Sequence, residues 1–300
     1  MGQDHGDLPM SAVTRRLLTA NENEAEDPAY LHAVMCQTSM PYRRTDERRW
    51  QHRNGRALLQ IEAGYVEDPE AGEFVDVPLP WGPRPRIALA HLNGEALRQG
   101  TRHIEVEASM TAFVKRVLGR APNGREMRDF RGHLTSLATA TVRLSFQMAG
   151  GGRYQTQGQI VSGLELWDGQ DERQRTLWPA EVSFSENYWR SLSSHAVPLD
   201  PRHVAALAHS AMALDIYAWT AQRLHRISEP NGVFVPWPRL HAQFGHGYQR
   251  LRDFRNVFRR ELRQVCAVYQ DARIGEEVDE RGQPRGLRLE HSKPPVLRRG

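Results

Sequence analysis

A chain of 300 residues, 39% hydrophobic and 25% charged, is long enough for two domains with separate cores, and it holds no apolar run of the ~18 residues needed to span a bilayer. Cys36 and Cys266 are too few for a disulfide framework or a cysteine-based zinc site. The N-terminus, MGQDHGDLPMSAVTRR, lacks the apolar core of a secretory signal, so a cytoplasmic location and no membrane partner are expected. The formal net charge of +4 is unevenly spread: residues 1–78 carry 14 acids against 8 arginines, a net of −6, which leaves +10 on the remainder. All basic residues but Lys115 and Lys293 are arginines, a bias that codon usage in a GC-rich genome also produces, so the placement of arginine says more than its number.

Residues 1 to about 30 are polar and acidic, without sustained periodicity, which predicts a poorly ordered leader. The patch YRRTDERRWQHRNGR (42–56) reads as a solvated basic helix face, LLQIEAGYV (58–66) as a short strand, and DVPLPWGPRPR (76–86) as a proline-rich connector. A folded body then begins. Ile87, Ala90, Leu92 and Leu97 predict a short helix, and HIEV (103–106) a strand. Ser109 is placed to cap a helix over 110–118 that stops at Gly119. After the turn Pro122-Asn123-Gly124 comes a helix over 125–139, then extended stretches at 142–148 and 154–167 around a glycine-rich bend with Arg153 at its tip.

The second half repeats this order. A long helix is predicted over 201–227, a strand at 233–237, a short helix over 239–244, and a Gly245-His246-Gly247 turn. A second basic helix follows at about 249–269, with two extended pieces around ERGQPRG (280–286). Between the halves, EVSFS and ENYWRSL read as a connecting strand and helix.

The tetrapeptide RDFR occurs in both basic helices, as Arg128–Arg131 and Arg252–Arg255. On a helical wheel with Leu251 at zero, Phe254, Phe258, Leu262, Val265 and Tyr269 fall within about 60° and form a buried stripe. Arg252, Arg255, Arg259 and Arg263 fall at about 40° to 120°, joined outward by Gln249, Asn256 and Arg260. In the first copy Met127, Phe130, Leu134, Leu137 and Ala138 are expected inward, and Arg125, Arg128, Arg131, Gly132 and Thr135 outward. An α-helix fits the major groove of B-DNA, where arginine pairs with guanine edges or holds phosphates, so the expected partner is double-stranded DNA. The bland alternative is a solvated arginine-rich helix that happens to be repeated. Asp129 and Asp253 either orient a neighbouring arginine or balance local charge.

No glycine-rich phosphate loop is present, and none of the 13 histidines forms a His-x-His pair, so neither nucleotide hydrolysis nor rolling-circle nicking is expected. No metal or cofactor is expected, and no enzyme activity.

The segments LDIYAWTAQRL (214–224), VPWPRLHAQFGHGY (235–248) and LRDFRNVFRRELRQVCAVY (251–269) resemble the plasmid-encoded RepA family of replication initiators, and GPRPRIALAHLNGEAL (82–97) with HIEVEASMTAFVKRVLG (103–119) resembles that family's upstream module. The resemblance spans roughly residues 78–291. It implies a helix-rich α+β protein with two tandem winged-helix domains and short wing hairpins, at 78–177 and 178–291, preceded by a largely flexible leader (1–77) and followed by a tail (292–300). It also implies binding to direct repeats at a plasmid origin, help in local melting, recruitment of the host initiator and replicative helicase, a monomer–homodimer equilibrium and repression of its own gene. The DNA contacts expected are Arg125, Arg128, Arg131, Thr135, Arg153, Gln249, Arg252, Arg255, Asn256, Arg259 and Arg263, with the first helix either a second reader or a dimer interface. A winged-helix repressor without a replication role and, further off, a nuclease or primase are the competing readings. With the acidic leader as a partner arm, removing residues 1–40 is expected to spare DNA binding and impair helicase loading.

Overall fold

The computed structural model describes residues 12–22, 27–68, 70–147, 151–163 and 181–296, so the strand expected to run on to 167, the boundary at 177/178 and the last residues of the tail lie outside the described residues. The first part of the chain gives α1 (Ala12–Thr19), β1 (Ala29–His32), the hairpin β2 (Arg49–Asn54) and β3 (Ala57–Glu62), and a second hairpin, β4 (Tyr65–Asp68) and β5 (Glu73–Asp76). Then follow α2 (Pro83–Gln99), β6 (His103–Glu105), α3 (Met110–Leu118), α4 (Gly124–Thr139), β7 (Thr141–Gln147), β8 (Arg153–Gln159), β9 (Val161–Gly163) and β10 (Glu181–Phe184). The second half comprises α5 (Glu186–His195), β11 (Ala196–Leu199), α6 (Pro201–Ala206), α7 (Ala211–Arg223), β12 (Val233–Pro236), α8 (Trp237–Phe244), α9 (Leu251–Val268), β13 (Ile274–Val278) and β14 (Pro284–Leu289).

Local chemistry sets the boundaries. Ser109 Oγ accepts from the Ala112 amide at 3.1 Å, and Gly119 ends α3 at φ 64°, a conformation that costs glycine little. Asn123 and Glu126 form a reciprocal capping box at the start of α4. The single long helix expected over 201–227 is instead two, because Ser210 turns out of the helix and its hydroxyl accepts from the Ala213 amide at 3.2 Å, starting α7 afresh. Apolar periodicity runs on across this break, which is why the pattern alone reads as one helix.

Two three-stranded sheets repeat one topology. In the first half the order is β6-β10-β9 and in the second β12-β14-β13. In each, the strand lying between the first and second helices pairs with the last strand of the closing hairpin. The hairpin predicted as the first wing is placed differently. β7 and β8 pair with each other, with Gln147 opposite Arg153, but β7's other edge is taken by β3, giving a four-stranded sheet β2-β3-β7-β8. β9 and β10 occupy the position that β13 and β14 hold in the second half.

The partner strands come from residues 1–77, expected to be a largely flexible leader; residues 29–62 are instead built into the fold. Ala57, Leu59 and Ile61 face Val142 and Leu144 within the core, and Val34, Met35, Cys36 and Met40 are buried with them. β1 pairs with β11 across the chain, and Gly94 on α2 lies so close to β1 that a Cβ would meet the Pro28 carbonyl oxygen at 2.8 Å. The patch 42–56, expected as a helix face, forms no helix and contributes β2 from its residues 49–54, with Trp50 Nε1 donating to the Ser39 carbonyl at 2.7 Å. Along β3 every second side chain is buried, as alternation in a half-buried strand requires, while on β2 only His52 is fully buried.

The two halves share one core. Arg86 on α2 and Asp215 on α7 form a buried bidentate pair, Nε to Oδ1 at 2.7 Å and Nη2 to Oδ2 at 2.9 Å. The remaining guanidinium donors reach the carbonyls of Gly82 at 2.7 Å and Met40 at 2.7 Å, so the charge is satisfied from both halves and from the N-terminal segment together. Gln243 Nε2 donates to the Gln37 carbonyl at 3.1 Å, and the Tyr42 ring stacks on His246 with centroids 3.9 Å apart, continuing the same junction to the turn ahead of α9.

Candidate nucleic-acid interface

α9 is anchored by aromatic packing. Phe254 and Phe258 are fully buried, in edge or tilted contact with Trp237, Phe244, His241 and Tyr248, and each contributes on the order of 2 to 3 kcal/mol by removal from water. Val265, Val268 and Tyr269 complete the inward face, with Leu251 and Leu262 at its margin. Glu261 is also buried, its carboxylate bound by Arg260 at 2.7 Å, a position that residue type alone assigns to solvent.

What α9 leaves exposed is narrower than its sequence suggests. Arg252, Asp253, Asn256, Arg260 and Arg263 are exposed, as are Gln249 and Arg250 just ahead of the helix. Arg255 is half-buried. Arg259 is held from two sides: its guanidinium forks onto Glu276 of β13, Nε to Oε1 at 3.1 Å and Nη2 to Oε1 at 2.6 Å, and lies 5.3 Å from the Trp237 ring centroid. This fork ties α9 to β13 of the hairpin. The outward stripe is therefore centred on Arg252, Asn256 and Arg263. The N-cap of α9 is Arg250, with no side-chain cap, so the positive end of the helix dipole and its first amides accompany the arginines.

α4 presents the same pattern in a milder form. Phe130, Leu134, Leu137 and Ala138 are buried and Met127 is half-buried, while Arg125, Arg128, Arg131 and Gly132 are exposed and Thr135 is half-exposed. A Cβ on Gly132 would meet nothing within 4 Å, so that part of the helix is open to close approach. Its N-terminus is occupied by its own residues: Glu126 accepts from the Asn123 amide at 3.0 Å and is bound by Arg120. The hydrogen bond from Arg120 is the main reason that the Glu126 carboxyl is lowered to about 2. Asp129 approaches Arg84 at 3.4 Å, so it balances a neighbouring helix's charge. Buried His133, against the Trp81 ring, is lowered to about 4 by desolvation.

Arg153, expected at a wing tip, opens β8 opposite Gln147, on a hairpin that belongs to the four-stranded sheet. Among the described residues no cluster of histidine, cysteine or carboxylate side chains could hold a metal, and no helix is long and apolar enough to cross a membrane.

The fold is similar to that of domains 2 and 3 of RctB in two crystal structures. One, of selenomethionine derivatives, has a TM-score of 0.56 at 10% identity and covers 92% of this chain and 97% of that one. The other, spanning RctB residues 155–483, has a TM-score of 0.53 at 9% identity and covers 87% and 97%. No curated protein matches the sequence. The model of the family described as "Plasmid encoded RepA protein" matches residues 79–237, more than half of the chain, from the start of α2's approach to the first residue of α8. The chain belongs to the plasmid-encoded RepA family.

Proposed function

We propose that this protein initiates plasmid replication by binding repeated sites in origin DNA, with α9 as the principal reader. The observation that carries this is the stripe Arg252, Asn256 and Arg263, with Gln249 just ahead of it, exposed on a helix whose other face is locked by Phe254 and Phe258. Such a helix is rigid enough to place side chains against base edges, and both arginine and asparagine read bases by bidentate contact. Family membership supports the replication role.

In this reading both halves are winged helices, supported by the repeated order helix, strand, helix, helix, hairpin and by the matching sheets β6-β10-β9 and β12-β14-β13. α4 is a second reader or a subunit contact. Melting of adjacent DNA and recruitment of the host initiator and helicase complete the proposal, and no catalytic step is assigned to the protein.

Footprinting on DNA beside the gene tests it. Protection of direct repeats of about 20 base pairs, two major-groove contacts with flanks, is expected. Uniform coverage without preferred sites would count against it, and protection of a single palindrome, with plasmid replication unaffected by deletion, would favour a repressor instead.

A further inference from the structure

The sheet β2-β3-β7-β8 has one face in the core and one in solvent, and the solvent face is basic. Its register places Arg49, Gln51 and Arg53 of β2, Leu58, Gln60 and Glu62 of β3, Arg143, Ser145 and Gln147 of β7, and Arg153, Gln155 and Gln157 of β8 on that side, with Arg56 in the β2–β3 turn. Glu62 is the one acid among these strand positions, and it is bound by Arg143 at 2.8 Å. The side chains of Arg53, Arg56 and Arg153 are exposed around a hollow of about 250 Å³ that Gln60, Ser145 and Gln155 also line.

We infer that this face binds the phosphate backbone of duplex DNA without regard to sequence. Three guanidinium groups, with no acidic partner among the described residues, supply charge and forked donors for phosphate oxygens, and the glutamines supply neutral donors between them. Among the described residues the face carries no exposed aromatic ring: Phe146 and Tyr154 stack on each other and against His195 on the opposite side of the sheet. Single-strand binding grooves rely on such rings as stacking platforms, so the chemistry here favours the backbone of a duplex. β7 leaves directly from the C-terminal end of α4, which ties the sheet to one of the proposed reading helices. The inference rests on the proposed DNA-binding function for the identity of the polyanion, but it concerns a surface separate from either helix.

The test compares two variants of the full chain on a random-sequence duplex and on the DNA beside the gene. The sheet variant carries Arg53→Gln, Arg56→Gln and Arg153→Gln; the helix variant carries Arg252→Ala and Asn256→Ala. For the sheet variant the slope of log affinity against log salt is expected to become shallower by about 2 to 3 on both DNAs, with the ratio between the two DNAs unchanged. For the helix variant the ratio is expected to fall. A wild-type salt slope in the sheet variant overturns the inference while leaving the helix reading intact. So does a sheet variant that loses only self-association in sedimentation, which would assign the face to a second copy's acidic β4–β5 hairpin. Tighter binding of a single strand than of a duplex, abolished in the sheet variant, overturns the duplex assignment. Failure of the wild-type chain to bind any DNA overturns the proposed function itself.

Discussion

Arg86 on α2 and Asp215 on α7 meet at 2.7 Å in the centre of the molecule, 129 residues apart in sequence, both almost wholly buried. Among the described residues each is the other's ion-pair partner, so removing one strands a charge in the core. Arg86→Met or Asp215→Leu alone is expected to cost about 3 to 5 kcal/mol in chemical denaturation. The double variant should recover much of that loss, since an apolar pair of similar volume avoids the desolvation penalty. A double variant no more stable than either single one would show that the carbonyl contacts to Gly82 and Met40, and not the ion pair, hold the junction.

The arginines of α9 should separate into two groups. Arg252→Ala removes an exposed side chain and is expected to cost about 1 to 3 kcal/mol in specific DNA binding, with thermal stability unchanged. Arg259→Ala breaks the fork to Glu276 and the contact with Trp237, and is expected to cost on the order of 1 kcal/mol in stability. Glu276→Gln should reproduce part of the Arg259 effect. Equal losses of specificity in both arginine variants, without a change in stability, would contradict the division.

Acid should unfold the protein through its buried histidines. Burial holds His32 and His246 at about 3, and His133 and His203 at about 4, below the ordinary value near 6.5. Below about pH 6.5 the unfolded chain therefore binds protons that the folded chain does not, and stability falls as pH drops toward the folded values. Glu126 adds a loss at lower pH: its depressed carboxyl stabilises α4 above the usual carboxylate range, and that contribution disappears as pH falls toward about 2. Denaturation midpoints measured from pH 7 to pH 4 should fall steadily, and His32→Asn should flatten the upper part of that curve. A flat profile would show that the histidines are solvated.

Truncation of residues 1–40 is expected to destabilise the whole chain, because it removes β1 and the buried Val34, Met35, Cys36 and Met40. Circular dichroism with a denaturant titration would show it as a lowered midpoint. A truncated protein as stable as the full chain would mean that the 27–40 segment is dispensable for the core.

Loss of the α4 cap should be local. Asn123→Ala is expected to cost about 1 kcal/mol, since the Glu126 amide loses its acceptor and half of the capping box goes with it. Faster amide exchange in the first turn of α4, without change in α9, would mark it.

The sequence by itself determined the helices and their inward faces. The 3.6-residue apolar period placed Phe130 and Phe254 in the core, Ser109 and Gly119 bounded α3 by their own backbone preferences, and the turn residues ERGQPRG at 280–286 marked the bend between two extended pieces that became β13 and β14. These are local properties, set within one or two turns of chain. The tertiary structure decided what depended on distant partners. The patch 42–56 read as a solvated helix face, yet its residues 49–54 became β2 because β3, within the stretch read as a strand, offered them an edge. Arg259 looked equivalent to Arg252 on the wheel until Glu276 and Trp237 took hold of it. Arg86 and Asp215 gave no signal in a helical pattern, since a charge becomes buried only where another element brings its counter-charge into the same dry space.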